Sequence, residues 1–429
     1  MSAFERLQTE IPGPRSRELA GRLGASESRG VAFLSHDFPT FWERATGATV
    51  SDVDGNRYLD LSAAFGVALT GHANAAVVEA IAAQSHRLPH AMGDVHPAAL
   101  RVTLLERLTA LAPIERAKAY LCTSGTESIE FARKTALLFT GRPNALAFTP
   151  SYHGLGYGAL EVTGMERFRA PFAAQLRRET TFVPFPDRRD GGALDRTAAL
   201  VEAALRDDPT IGCVIVEPIA GRGGVIVPPD GFLRTLRRVC DERRCVLIAD
   251  EIFTGFGRTG TRFAVDYEAV APDILCIGKA LAGGFPMAAT IARADVMDAW
   301  PPSSGEALHT STYLGNPMGC AAALANLDEM ERLHTVIRAG AIGGRLAERL
   351  TALVHLGFVR DVRGRGALWG VECDTAERVR DWTIAALKRG LIVLPAGQRG
   401  EVLQLSPPLV IDDTQLGRAL DLLEAAAPA

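Results

Sequence analysis

Short apolar runs and amphipathic stretches alternate along most of this chain. Runs at 119–123, 145–148, 213–216, 246–249, 274–277 and 288–291 are too brief for helices. They are apolar on successive positions, the pattern of strands buried on both faces of a sheet. Between several of them apolar residues recur at helical spacing, so the middle of the chain predicts an α/β domain with a largely parallel sheet. Upstream, residues 52–60 read as a hairpin, with Asp54-Gly55 or Gly55-Asn56 as its turn. Helices are expected at 75–88, ended by Pro89, at 97–111, and from Ser124 to about Phe139. Residues 1 to about 30 are polar, and Pro12, Gly13 and Pro14 are expected to break any early helix, leaving an arm or a short helix pair. After about Met318 the pattern becomes helical, with strands at 366–371 and 391–394, as in a smaller α+β lobe. The expected division is an N-terminal segment, 1–65, belonging to the small lobe, a large domain, 66–318, and a C-terminal small domain, 319–429.

A chain of 429 residues is too long for one simple core. Its 46 basic and 50 acidic side chains nearly cancel, so no basic surface argues for nucleic acid. The 7 cysteines are scattered and odd in number, which suits small buried hydrophobes in a reducing compartment better than a disulfide framework. Residues 1–10 do not form a signal peptide, and no apolar run is long enough to span a bilayer. A cytoplasmic location is expected.

Two of the apolar runs end in ionisable residues: Val246-Leu247-Ile248-Ala249 leads into Asp250, and Ile274-Leu275-Cys276-Ile277-Gly278 into Lys279. In a parallel sheet the ligand site lies beyond the carboxyl ends of the strands, so both side chains would reach one place. A buried acid and a buried amine are what pyridoxal phosphate chemistry asks for. The lysine forms the Schiff base, and the acid keeps the pyridine nitrogen protonated. A turn-capping aspartate and an ordinary strand-end lysine fit the same residues, and the pair alone leaves both open. Ser124-Gly125-Thr126-Glu127 opens a helix after a strand and so offers free N–H groups as a phosphate seat. Plain N-capping by Ser124 or Thr126 fits as well. Gly255-Phe256-Gly257-Arg258-Thr259-Gly260 has the form G-x-G-x-x-G, but an acidic pair occupies the strand end and 261–265 start no helix. It is therefore not read as a dinucleotide fingerprint. His86 and His90 stand four apart, yet Pro89 interrupts the helical face; with His96 they are read as polar or capping residues, and no metal site is expected.

The motifs fall into a known order. Residues 52–60, Ser124-Gly125-Thr126-Glu127, Tyr152-His153-Gly154, Val216-Glu217-Pro218, Asp250-Glu251-Ile252, Thr254-Gly255-Phe256-Gly257-Arg258-Thr259-Gly260, Lys279-Ala280-Leu281-Ala282-Gly283-Gly284 and Thr312-Tyr313-Leu314-Gly315-Asn316-Pro317 carry the resemblance. Over almost its full length the chain resembles the class III aminotransferases, pyridoxal phosphate enzymes of fold type I. That resemblance implies a large domain around a mostly parallel sheet and a smaller α+β lobe. It implies ping-pong transfer of an amino group from an amine or ω-amino compound to an α-keto acid. Lys279 is implied as the Schiff-base lysine and proton carrier, and Asp250 as the partner of the pyridinium nitrogen. Tyr152 and Ile252 are implied on the two ring faces, Ser124, Gly125 and Thr126 at the phosphate, and Glu217 beneath the cofactor. Thr312 is implied as a phosphate ligand supplied by the neighbouring subunit, hence a homodimer with shared sites, with a tetramer left open. Aminomutases and amino-acid epimerases on the same scaffold share these motifs. A non-catalytic cofactor-binding regulator is disfavoured, because the full catalytic set remains.

The chain departs from the family where substrate is held. Relatives acting on γ-aminobutyrate or ornithine tend to clamp carboxylates with arginines. One follows the Tyr-His-Gly motif, where this chain has Leu155, and another precedes Pro-Pro near the C terminus, where it has Gln404. The glutamate that partners the second arginine is replaced by Arg222. Either the pocket has lost its clamps and suits amines or long ω-amino compounds, or Arg222 has taken over the acceptor's carboxylate from the opposite wall, facing Gln404; a solvent-exposed loop arginine is the plain alternative. Phe253 stands where the family often has a glutamine bonded to the cofactor's phenolic oxygen. Phe41, Trp42 and Phe65 fall where relatives line the pocket entrance, which fits an apolar substrate; an ordinary core explains them nearly as well.

Overall fold

The structure, a computed structural model, describes residues 4–428. Near the N terminus lie three antiparallel strands, β1 (Trp42–Thr46), β2 (Thr49–Asp52) and β3 (Arg57–Asp60). β2 and β3 form the expected hairpin, with Val50 opposite Tyr58. Its turn is tied by Asp52, whose carboxylate accepts the N–H groups of Asp54 and Asn56 at 3.0 and 2.8 Å. Gly55 takes φ +85° there, a conformation that costs glycine little.

Seven strands build the central sheet: β4 (Ala117–Cys122), β5 (Asn144–Thr149), β6 (Thr180–Pro184), β7 (Ile211–Val216), β8 (Val246–Asp250), β9 (Ile274–Ile277) and β10 (Ala288–Arg293). Their order is β4-β10-β9-β8-β7-β5-β6. β6, β5, β7, β8 and β9 are parallel, and β10 runs antiparallel to both β9 and β4. β4 therefore runs with the parallel set, and every strand except β10 delivers its carboxyl end to the same edge. All of β7, β8 and β9 is buried. Alternate residues enter opposite cores: Leu247 and Ala249 pack with Phe232, Leu233 and Leu236 of the helix Phe232–Arg243, whereas Val246 and Ile248 pack with Ile129, Ala132 and Ala136 of the helix Gly125–Thr140. Helices on both faces are why these strands read as unbroken apolar runs.

The C-terminal part adds β11 (Val359–Arg365), β12 (Leu368–Cys373), β13 (Leu391–Ile392), β14 (Leu394–Ala396) and β15 (Val402–Leu405). β13 pairs in parallel with β3, so one sheet joins the two ends of the chain. The others form a second small sheet in the order β11-β12-β15-β14.

Several expectations need correction. The early prolines do not break the first helix: Pro14–Ser26 is one helix with Pro14 in its first turn, where a missing N–H costs nothing. The strand expected at 366–371 begins at Leu368, because Gly366, at φ +52°, turns the chain between β11 and β12. The strand expected at 391–394 is two strands in different sheets, β13 and β14. β1, β6, β11 and β15 are additions the pattern did not mark; β6 is a half-buried edge, and β11 carries Arg360, Asp361, Arg363 and Arg365. All seven cysteines are buried and unbonded. Among the described residues, no helix is long and apolar enough to cross a membrane.

Candidate active site

The strand ends decide what meets at the carboxyl edge of the sheet. Tyr152 and His153 follow β5, Glu217 follows β7, Asp250 closes β8, Lys279 lies just past β9, and the helix Gly125–Thr140 opens just past β4. Asp250 is 4% exposed, and its two oxygens are held separately. Oδ2 lies 2.7 Å from Nδ1 of His153, while Oδ1 accepts the N–H of Ile252 at 3.1 Å. His153 is buried too; its own N–H donates to Thr163 Oγ1, and Nε2 is buried without a partner. The sequence marks His153 only through the Tyr-His-Gly motif and assigns it no role.

Glu217 accepts the N–H of Tyr152 at 2.9 Å and that of Gly221 at 3.2 Å, tying the β5 and β7 loops together. Burial pushes its carboxyl well above the usual range, with His153 opposing and Asp250 reinforcing the shift. Lys279 adopts φ +39°, a left-handed conformation that costs a non-glycine residue and recurs at functional sites. Burial lowers its amine pKa, Asp250 and Glu217 oppose this, and Arg222 adds to it. A lowered pKa leaves more neutral amine near pH 7, as a nucleophilic or proton-carrying lysine requires. Nζ stands 4.6 Å from the ring centre of Phe253. That ring is wedged between two glycines: a Cβ on Gly66 or Gly221 would come within 2.4 or 2.5 Å of it.

At the helix opening, Ser124 Oγ accepts the N–H of Glu127 at 3.2 Å, and Glu127 Oε2 accepts the N–H of Thr123 at 2.8 Å. The hydroxyl of Ser124 thus serves as the cap. The N–H groups of Gly125 and Thr126 have no acceptor within the helix and point from the positive end of its dipole. Close neighbours confine this seat. A Cβ on Gly125 would meet Ile252 Cδ1 at 2.8 Å, and one on Gly154 would meet Thr126 Oγ1 at 2.4 Å. Free donors, a glycine-lined cradle, the partnerless Nε2 of His153, a buried acid and a lysine of lowered pKa fit pyridoxal phosphate.

The substrate candidates divide. Arg222 stands beside Tyr152: its guanidinium lies 5.1 Å from the ring centre of Tyr152 and 5.5 Å from that of Phe168. Its Nε is buried without a partner, and no hydrogen bond or ion pair of its side chain is found among the described residues. It is not a solvated loop residue. Gln404 is buried in β15, but no hydrogen bond joins it to Arg222. Leu155 is 50% exposed, and Phe65 is 58% exposed beside Gly66, the glycine that abuts Phe253. Phe41 is partly buried, while Trp42 meets His72 edge-on at 6.0 Å. Thr312 is exposed on the single chain and joins none of these contacts.

Comparison with known proteins agrees with this geometry. The family model described as aminotransferase class-III matches residues 32–427. A 4-aminobutyrate aminotransferase of Mycobacterium leprae is 37% identical over 97% of this chain and 96% of its own length. An acetylornithine aminotransferase of Methanopyrus kandleri is 40% identical over 89% of this chain and 93% of its own. Among solved structures, an amine transaminase from an uncultivated Pseudomonas species, in its pyridoxal-phosphate-bound form, superposes with a TM-score of 0.87 at 30% identity, covering 94% of this chain and 98% of that one. The chain belongs to the class III aminotransferases, enzymes that use pyridoxal phosphate to carry an amino group from a donor to a keto acid.

Proposed function

We propose that the amino donor is an amine or ω-amino compound with an apolar body, and that Arg222 holds the carboxylate of the 2-keto acid acceptor. The observation that carries this reading is an arginine packed on Tyr152 and Phe168 with no acid beside it, while the positions where relatives place clamping arginines are neutral, as Leu155 and Gln404. An unpaired guanidinium on an aromatic wall is matched by a carboxylate that arrives with the substrate.

When bound, pyridoxal phosphate supplies an electron-accepting ring that stabilises the charge left on the substrate carbon as a proton departs. Asp250, oriented by the contact of His153 with its Oδ2, would keep the ring nitrogen protonated. Lys279 Nζ would hold the group and serve as the base and acid for the proton at the substrate carbon. The N–H groups of Gly125 and Thr126 would hold the phosphate, and Tyr152 and Ile252 would flank the ring. Glu217 keeps the Tyr152 loop in place through its two N–H contacts.

Thr312 supports a homodimer with shared sites. The segments around it are apolar and exposed: Met92, Val95, Leu308 and Tyr313 stand on two neighbouring stretches joined by the His90–Tyr313 ring contact, 5.5 Å between centres, and the Thr310–Asp94 hydrogen bond. A second copy covering this surface would bring Thr312 to the partner's phosphate seat. The same reading takes 1–65 and 319–429 as one small lobe against the large domain 66–318, with β13 on β3 as support. Unbonded cysteines suit a cytoplasmic location.

The test follows the visible spectrum of the cofactor-loaded protein as single donors are added without acceptor. The yellow colour bleaches with a true donor and returns with pyruvate or 2-oxoglutarate. If it bleaches with amino acids but with no amine or ω-amino compound, the donor class is wrong. For the acceptor, Arg222→Ala raises the KM for keto acids roughly tenfold or more; an unchanged KM for both pyruvate and 2-oxoglutarate would sink the role of Arg222.

A further inference from the structure

A second arginine stands beside Arg222 on the same ring. The Arg167 guanidinium lies 4.9 Å from the centre of Phe168, the ring that also carries Arg222 at 5.5 Å. One turn of the C-terminal part braces both. The carbonyl of Arg222 accepts the N–H of Gly397 at 3.0 Å, and Nη1 of Arg167 donates to the carbonyl of Gln398 at 3.1 Å. Arg222 is partly buried, whereas Arg167 is exposed.

One acid stands near the pair. Glu166, next in sequence to Arg167, is engaged with Arg169 at 3.4 Å. Glu401 is the acid whose charge reaches Arg167, and its Oε2 also accepts the N–H of Arg399 at 2.7 Å. Burial and then the charge of Arg222 lower the pKa of Arg167, and Glu401 opposes them. The Gln398 carbonyl and the Phe168 ring hold the head of Arg167 beside the ring that also carries Arg222.

We propose that Arg167 is a second specificity-determining residue of the acceptor site, and that with Arg222 it selects a dicarboxylic over a monocarboxylic 2-keto acid. The inference rests on the Arg222 reading above. One carboxylate satisfies Arg222 in the interior, and a second, separated by a short methylene chain, satisfies Arg167 at the mouth. A three-carbon keto acid carries no second carboxylate for Arg167.

The experiment measures kcat/KM of the holoenzyme for 2-oxoglutarate and for pyruvate with one donor. It also measures the affinity for glutarate, an unreactive dicarboxylate, by calorimetry. Arg167→Gln is expected to lower the 2-oxoglutarate-to-pyruvate ratio roughly tenfold, through KM rather than kcat, and to weaken glutarate by a similar factor. Arg167→Lys, which keeps the charge, is expected to restore part of both, an outcome a merely misfolded variant does not give. An unchanged ratio and unchanged glutarate affinity in Arg167→Gln overturn the inference. Arg222→Gln separates the two readings. If it impairs both keto acids while Arg167→Gln leaves the ratio alone, only the present inference fails; if it impairs neither, the Arg222 reading fails and takes this one with it.

Discussion

His153 shows how much of the site rests on one side chain that touches another. Asp250 needs a fixed orientation to meet a ring nitrogen, and the 2.7 Å contact from His153 Nδ1 supplies it from a loop 97 residues away in sequence. Replacing it removes a hydrogen bond to a buried carboxylate, worth about 1.5–3 kcal/mol. His153→Ala is therefore expected to lower kcat roughly 10- to 100-fold and to weaken cofactor retention, read from steady-state rates and from the cofactor released on dialysis. Wild-type kcat and retention in that variant would show that Asp250 is held by its other contacts. Asp250 and Lys279 were legible in the sequence because each ends an apolar run with an ionisable group. The role of His153 was not, because the contact exists only once β5 and β8 stand in one sheet. Phe253 was visible as a missing glutamine, but its place against Lys279, between Gly66 and Gly221, is a matter of three loops meeting.

At the level of elements, the loop after β8 is secured by a second acid. Glu251 is fully buried, accepts the N–H of Val265 at 2.8 Å, and receives the hydroxyl of Thr254. Burial raises its carboxyl from 4.5 to about 7. A carboxyl raised in the folded state binds its proton more tightly there than in the unfolded chain. Its contribution to stability is thus complete below pH 4.5 and is lost as the pH rises through about 7. Glu251→Gln keeps an acceptor for Val265 and removes the titration. Relative to wild type it is expected to gain stability at pH 8, by an amount on the order of 3 kcal/mol, and little at pH 4.5. Urea unfolding at the two pH values measures the difference, and equal differences at both would refute the assignment. In the same loop the G-x-G-x-x-G string forms a buried turn and opens no helix. Gly257 and Gly260 take φ +94° and +96° in a buried turn, and a Cβ on Gly257 would press on Thr335. These glycines allow close packing against Thr335, Tyr267 and Gly366.

For the molecule as a whole, the proposal that Thr312 serves the partner's site is tested on mixed dimers. If each site draws Thr312 from its partner, Lys279→Ala and Thr312→Ala are each impaired as homodimers. In a mixed dimer, however, one site has both an intact Lys279 and an intact Thr312. Co-expressing the two variants is expected to return activity toward that of one site per dimer, well above either alone. No recovery in purified mixed dimers would mean that the sites are not shared. The covering of Met92, Val95, Leu308 and Tyr313 on association is checked by sedimentation of the purified protein.

Local pattern determined the elements that are buried on both faces or amphipathic over several turns, which is why the central strands and the helix Gly125–Thr140 were placed from sequence. It also determined the family, because motif order survives where tertiary contacts are unseen. It did not determine the edge strand β6, the charged strand β11, or the split of 391–394 between two sheets, since edges and short strands owe their form to partners distant in the chain. Nor did it determine which side chains meet. His153 on Asp250, Phe253 at Lys279, and Arg167 with Arg222 on Phe168 all depend on strand order and loop closure. Hydrophobic periodicity is a property of neighbours along the chain, whereas a site is assembled from the ends of strands that only the folded sheet sets side by side.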